Sequence, residues 1–349
     1  MTKRPKDNTV GPWAKEKLDA LREYLDFYTT VLKKQDHWLR GTIFFDAFAG
    51  PGVSRIRTKE KAVESANLFG SDAQVGVPEI EFLKGSPRVA LDIANPFTRY
   101  IFVERDPKRI VELKRLKAEY EGKHVVFVAE NDANTALKDW LETGIDWRTH
   151  RAVVFLDPFG MQVPWVTIEA LAATKAVEVL INFPLWMAIN RLLVRSGHID
   201  LGWQASLDTF FGSPDWRSIA YEEGTDLFGT RREKVDDAGK RILEWYRGRL
   251  RKAFGHVSTA RLITNTRGNP LYYLIWAGPN ATGLKGAEYI LSKGERVTAR
   301  TRTAGVRPHF AETGEVMTAA FSLRRARASP PSRRRRGLRR RGWRRSRRA

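Results

Sequence analysis

The stretch Phe44-Phe45-Asp46-Ala47-Phe48-Ala49-Gly50-Pro51-Gly52 constrains this chain more than any other. Its apolar run from Ile43 to Phe45 predicts a buried strand, with Asp46 at the strand end and a glycine turn after it. Glycine lacks a Cβ and tolerates positive φ, so Gly50 and Gly52 let a ligand approach the backbone closely. Alone, the same pattern describes an ordinary loop. Three later segments repeat the scheme. Tyr100 to Asp106 passes through Glu104, Val125 to Asp132 closes on acids, and Ala152 to Gly160 ends in Asp157-Pro158-Phe159-Gly160. Strands that end in acids and alternate with helical segments predict an α/β fold with a largely parallel sheet.

Ahead of the first strand, Leu18, Leu21, Tyr24, Leu25, Tyr28 and Leu32 fall on one face of a helix from Trp13 to Gln35. This face predicts packing on the sheet. The connection Val53 to Lys84 is long enough to suggest a lid or substrate loop. Gly85-Ser86-Pro87 predicts a helix start, with Ser86 as N-cap and Pro87 at the first helical position. The strand Arg99 to Val103 then delivers Glu104, placed to accept hydrogen bonds from ribose hydroxyls. A solvated loop acid is the alternative. Helices at Pro107 to Tyr120 and Thr135 to Leu141 separate strands at Val125 to Ala129 and Ala152 to Leu156, and a fifth strand runs from Ala176 to Phe183. Residues 185–255 predict a helical insertion. It mixes Trp186, Trp203, Trp216, Trp245 and Tyr246 with Arg191, Arg195, Arg217, Arg247, Arg249 and Arg251. Such mixtures stack bases and hold phosphates, although amphipathic helices packed on a sheet have much the same composition. Arg261 to Thr266 and Leu271 to Ala277 predict an antiparallel pair joined at Arg267-Gly268-Asn269. From about residue 292 no clear period is visible.

With these segments in view, the chain resembles the S-adenosylmethionine-dependent methyltransferases, and more narrowly the three-Cys-motif partner (TcmP) family. The resemblance rests on Asp46 to Gly52, Gly85-Ser-Pro87, Tyr100 to Pro107, Asp132-Ala-Asn134, Asp146 to Gln162 and Asn182-Phe-Pro184, and covers about Trp13 to Ile290. It implies a doubly wound, Rossmann-like methyltransferase sheet of about seven strands. It also implies S-adenosylmethionine as cofactor, bound by Asp46, Phe48, Gly50, Gly52, Glu104, Asp132 and Asn134, the last two beside the adenine. No metal is required. Enzymes that methylate an amino nitrogen use an Asp/Asn-Pro-Pro-aromatic turn whose oxygens orient the acceptor amine, a task of positioning. Asp157, Pro158 and Phe159 are the matching catalytic candidates. Phe159 stands where the second proline belongs and Gly160 where the aromatic belongs, so stacking falls to Phe159 or Trp165. A simple acid-proline turn closing a strand is the alternative.

The net charge of +21 is unevenly placed. Residues 324–349 hold 14 arginines and no Asp, Glu or Lys, which leaves +7 on the remainder. Such a tail suits phosphate neutralisation. It is also what a GC-rich gene read in a shifted frame encodes. The expected organisation is an N-terminal helical segment (1–40), a methyltransferase-like domain (41–325) with insertions at 53–84 and 185–255, and the arginine-rich tail (326–349). Zero cysteines exclude disulfides and thiolate chemistry and fit a cytoplasmic protein. No apolar run is long enough to span a membrane, and the polar N-terminus lacks the core of a signal peptide. Two functions follow as expectations: methyl transfer to a nucleic-acid base nitrogen, or an accessory role as cofactor-binding partner of a three-cysteine-motif protein. An NAD-dependent dehydrogenase is disfavoured, because Gly50-Pro-Gly52 follows an acidic strand end and is not Gly-x-Gly-x-x-Gly.

Overall fold

The computed structural model describes residues 9–10, 13–56, 82–226, 229–265 and 267–302. The arginine-rich tail and residues 57–81 of the first insertion lie outside them. In chain order the elements are β1 (Thr9–Val10), α1 (Trp13–Leu32, with a 3-10 turn Lys33–Gln35), β2 (Gly41–Asp46), β3 (Val53–Ile56) and β4 (Phe82–Lys84). Then come α2 (Ser86–Leu91), β5 (Arg99–Glu104), α3 (Pro107–Glu119), β6 (Val126–Glu130), α4 (Ala133–Leu141), β7 (His150–Leu156), α5 (Trp165–Ala173) and β8 (Val177–Phe183). A π-helical turn (Leu185–Ile189) leads to α6 (Asn190–Leu192), α7 (Leu201–Phe211), α8 (Trp216–Ala220), β9 (Tyr221–Asp226) and β10 (Gly229–Lys234). The chain continues with α9 (Ala238–Phe254), β11 (His256–Val257), β12 (Arg261–Thr264), β13 (Pro270–Gly278) and α10 (Ala281–Arg302).

The central sheet runs β6-β5-β2-β7-β8-β13, with β11 and β12 both pairing to the outer side of β13. β6, β5, β2, β7 and β8 are parallel, and β13 is antiparallel to β8 with Tyr273 opposite Phe183. This is the doubly wound, Rossmann-like sheet that the sequence pattern predicts. It has eight strands because two short ones share the outer edge. Both faces are covered, so its strands are apolar on both sides. Ile43 and Phe45 of β2 face a core closed by α4, α5, α7, α8 and α9, while Phe44 faces one closed by α1, α2, α3 and α10. The apolar face of α1 is buried as its spacing predicts, with Leu32 partly so.

Three sequence expectations need correction. The residue capping α2 is Gly85, not Ser86, and no side chain caps the helix. The 185–255 insertion is not wholly helical: β9 and β10 form an antiparallel hairpin inside it. The chain beyond 292 is still helical, since α10 runs to Arg302. The first insertion begins and ends as a paired stub, with Val53 opposite Lys84. Among the described residues no helix is long and apolar enough to cross a membrane.

Candidate functional site

The turn after β2 is sewn to the strands on either side. The amide of Ala47 donates to Phe155 of β7 at 3.1 Å, and that of Ala49 donates to Val103 of β5 at 3.0 Å. Gly50 and Gly52 have φ of +64° and +77°, as their sequence role requires. Their surroundings differ. Among the described residues a Cβ on Gly50 would meet open space, whereas one on Gly52 would stand 2.8 Å from the Leu116 side chain of α3. Gly50 therefore leaves room for a ligand, and Gly52 lets helix and loop pack closely. Phe48 is partly buried against the core.

Asp46 is fully buried at the end of β2. Its Oδ1 accepts the Phe48 amide at 3.2 Å, while Oδ2 has no hydrogen-bond partner among the described residues. Burial pushes its pKa up to about 7, with the Ser86 hydroxyl and the Phe48 amide pulling the other way. Ser86 thus stands near Asp46 and does not cap the helix.

Glu104 ends the neighbouring strand. Its Oε1 accepts the Arg105 and Asp106 amides, each at 2.9 Å, and Oε2 lies 3.7 Å from Arg109. Asp132 caps α4 by accepting the Asn134 and Thr135 amides at 2.9 and 3.4 Å. The Asn134 side-chain Nδ2 donates to the Gln162 carbonyl at 2.8 Å, and its Oδ1 accepts the Thr167 hydroxyl at 3.3 Å. Both side chains thus work to hold α4 and its neighbours, a role that their sequence context does not reveal.

Asp157, at the end of β7, is the centre of a cluster. Its Oδ1 accepts the Asn182 side-chain amide from the end of β8 at 2.7 Å, and its Oδ2 is ion-paired to Lys17 of α1. The Lys17 ammonium lies 5.6 Å from the Tyr272 ring centre. Tyr272 is itself buried, which drives its pKa up. Beyond Asp157 the turn closes by a Gly160 amide donating to the Pro158 carbonyl at 3.1 Å, and Gly160 has φ of +89°. Pro158 is buried. Phe159 is 80% exposed, its amide held by Gln162 at 2.8 Å. Trp165 offers no stacking surface: it is 3% exposed, with the Arg249 guanidinium 3.9 Å above its ring. Of the two rings the sequence offers for stacking, Phe159 is the exposed one, and Trp186 and Met187 of the π-helical turn are exposed as well.

The structure thus brings Asp46, Glu104 and Asp157 to adjacent strand ends. Lys17 and Tyr272 were missed by sequence reasoning, because nothing local in α1 or β13 marks them.

Much of the insertion's arginine and aromatic content is internal. Arg217 pairs with Asp208 at 2.7 Å and covers the buried Trp216 at 4.6 Å. Arg247 pairs with Glu244 at 2.7 Å and donates to the Ser258 carbonyl at 2.9 Å. Tyr246 is buried beside Trp165. Arg191, Arg195, Arg251 and Trp203 remain exposed.

No family model matches this sequence, and no curated protein does. Among solved structures, one neighbour is protein LPL1258 from Legionella pneumophila, assigned to the family model DUF519. It shares 14% identity with a TM-score of 0.35, over 74% of this chain and 97% of that one. A second is a conserved hypothetical protein from Streptococcus pyogenes, also 14% identical, with a TM-score of 0.26 over 58% of this chain and 91% of that one. Likenesses this weak place no constraint on function.

Proposed function

We propose that this chain is an S-adenosylmethionine-dependent methyltransferase of the three-Cys-motif partner type, acting on a nitrogen of a nucleic-acid base. The observation that carries the reading is the reversal of strand order between β2 and β7, where the turn after β2 opens at Gly50. In doubly wound sheets, ligands bind outside the carboxyl ends of the strands at such a reversal. The residues suit the cofactor. Gly50 leaves space beside the backbone, Asp46 presents an unpartnered carboxyl oxygen, and Glu104 ends the strand suited to a ribose. Asp132 and Asn134 spend their side chains on α4, which leaves Glu104 as the main anchor.

When bound, the cofactor supplies an already activated methyl group. The work left to the chain is binding, orientation and exclusion of water, with Asp157 holding the acceptor nitrogen and Phe159 beside the acceptor ring. A base within a duplex has to be flipped out to reach such a site. The exposed Arg191, Arg195, Arg251, Trp186 and Trp203 support contact with a polynucleotide. Calorimetry with S-adenosylmethionine and with NAD tests the reading. Binding of the first alone is the expected result, and binding of NAD alone would replace it with a dehydrogenase.

One observation favours the accessory role instead. Both oxygens of Asp157 already have donors within the protein, Lys17 and Asn182. A chain that holds cofactor for a three-cysteine-motif partner would bind S-adenosylmethionine and label no acceptor by itself.

A further inference from the structure

Three buried polar atoms around the Lys17–Asp157 pair have no hydrogen-bond partner among the described residues: Asp46 Oδ2, Asn182 Oδ1 and Tyr272 Oη. Their residues are 0%, 6% and 3% exposed. A buried polar atom left unpaired costs free energy, and such atoms beside one ion pair call for ligand groups that complete them. They do share one place. Asn182 touches Asp157, Tyr272 lies under Lys17, and Asp46 feels the charge of both members of the pair.

The orientation of Asn182 follows from its partner. Its Nδ2 donates to Asp157 Oδ1, so its Oδ1 is an acceptor with nothing to accept. The two residues stand side by side because β7 and β8 are parallel, with Leu156 opposite Ile181. Asp157 Oδ2 and Asn182 Oδ1 therefore flank one hydrogen bond, each able to take one N–H. Lys17 now donates to the first of them. It is the member of the cluster best able to withdraw, being a compact ammonium on a flexible four-carbon stem. The Pro158 carbonyl already accepts the Gly160 amide, which makes Asn182 the better second acceptor.

We propose that Asp157 Oδ2 and Asn182 Oδ1 form a two-pronged seat for the –NH2 group of the methyl acceptor, and that Lys17 occupies the Asp157 prong of this seat in the free protein. This rests on the methyltransferase reading and replaces an Asp157-only acceptor site with a pair of strand-end oxygens. The chemistry recognised is an amine with at least two N–H donors. A nucleobase amine and an alkylammonium ion both offer it.

The test uses the full chain saturated with S-adenosylhomocysteine. Lysines are acylated with a small N-hydroxysuccinimide ester, and Lys17 is quantified by peptide mass spectrometry. A ligand that takes the seat releases Lys17. Cytidine should therefore raise Lys17 labelling about tenfold or more, and uridine, which has a carbonyl oxygen in place of that amine, should not. Simple coverage by a bound ligand would lower the labelling, so the sign of the change separates the seat from mere proximity. Asn182→Leu, or Asn182→Ser if the first does not fold, should erase the difference between cytidine and uridine. Release by butylammonium but not cytidine supports the amine seat and counts against a nucleobase as its occupant. Lys17 labelling that stays level or falls with both ligands overturns the proposal. Calorimetry of S-adenosylhomocysteine is read separately: its failure sinks the methyltransferase reading and leaves the Lys17 result to stand or fall alone.

Discussion

The amide of Gly85 donates to the carbonyl of Gly52 at 2.7 Å, and a Cβ on Gly85 would stand 2.9 Å from the Gly52 carbonyl carbon. The obstacle is backbone, which cannot rotate aside as a side chain can. Gly85→Ala should therefore lower stability by about 1–3 kcal/mol, as overpacking does, and weaken S-adenosylmethionine binding by displacing the turn at Gly50. Gly50→Ala meets no atom of the described residues and costs about 1–2 kcal/mol from its left-handed backbone, yet places a methyl group in the space proposed for the ligand. Thermal unfolding together with calorimetry checks the pair. Stability equal to wild type in Gly85→Ala would contradict the packing argument.

Glu104→Ala should weaken cofactor binding by about 1–3 kcal/mol, the cost of leaving polar partners unpaired. The carboxylate already orders the Arg105 and Asp106 amides, so some of the loss will come from a looser turn. Glu104→Gln, which keeps an oxygen for those amides, should bind between the two. Binding of Glu104→Ala as tight as wild type would remove Glu104 from the ribose.

The sheet was legible because each central strand is an apolar run closed by a polar end, a pattern that burial on both faces demands. The pairing of Asp157 with Asn182 was not, since it depends on the register of β7 against β8. Lys17 lies 140 residues from Asp157 in sequence, and helical spacing says only which face of α1 is apolar. The β9–β10 hairpin escaped notice because Tyr221-Glu-Glu-Gly-Thr-Asp226 and Gly229-Thr-Arg-Arg-Glu-Lys234 lack alternation of apolar and polar residues. Ser86 has the right type for a cap, but the helix starts one residue earlier than its type suggests, with Gly85 in the extended cap position. Trp165 is a stacking candidate by sequence alone because its burial under Arg249 depends on a helix remote in sequence.

Stability should fall as pH rises from mildly acidic values to about 7. Glu178 lies inside β8, bonded to the Tyr24 hydroxyl, and burial raises its pKa from 4.5 to about 7. Below 4.5 it is protonated in both states and adds no pH dependence. Between 4.5 and 7 the unfolded chain releases a proton that the folded chain keeps, so folding loses about 3 kcal/mol across this window. Asp46, raised from 3.8 to about 7, acts with the same sign. Glu178→Gln should flatten the decline in urea-unfolding free energy between pH 5 and 7 (roughly, by linkage) relative to wild type. An unchanged slope would show that Glu178 ionises in the folded protein without penalty.

Deleting residues 324–349 should leave cofactor binding unchanged and remove most salt-dependent affinity for nucleic acid, since that term scales with the phosphates neutralised. Titrations of single-stranded RNA at two salt concentrations measure the difference. Loss of thermal stability on deletion would make the segment part of the fold.

Asp157 separates enzyme from accessory. Its carboxylate is the strand-end group whose turn resembles a methyl-acceptor site, and it reaches Asn182 and Lys17 rather than the turn at Gly50. Asp157→Ala should abolish methyl transfer while cofactor affinity stays within a few fold. An interaction used only in the transition state lowers rate without weakening ground-state binding. The substitution also leaves Lys17 unpaired, so Asp157→Asn, which keeps one acceptor oxygen, controls for that loss. Radiolabelled methyl incorporation into total RNA, DNA and protein is the measurement, with and without a three-cysteine-motif partner. Incorporation that survives Asp157→Ala ends the catalytic assignment. Wild type that binds cofactor and labels nothing, partner included, makes the accessory role the better description, because the Lys17–Asp157 pair would then be a permanent part of the fold rather than a seat to be vacated.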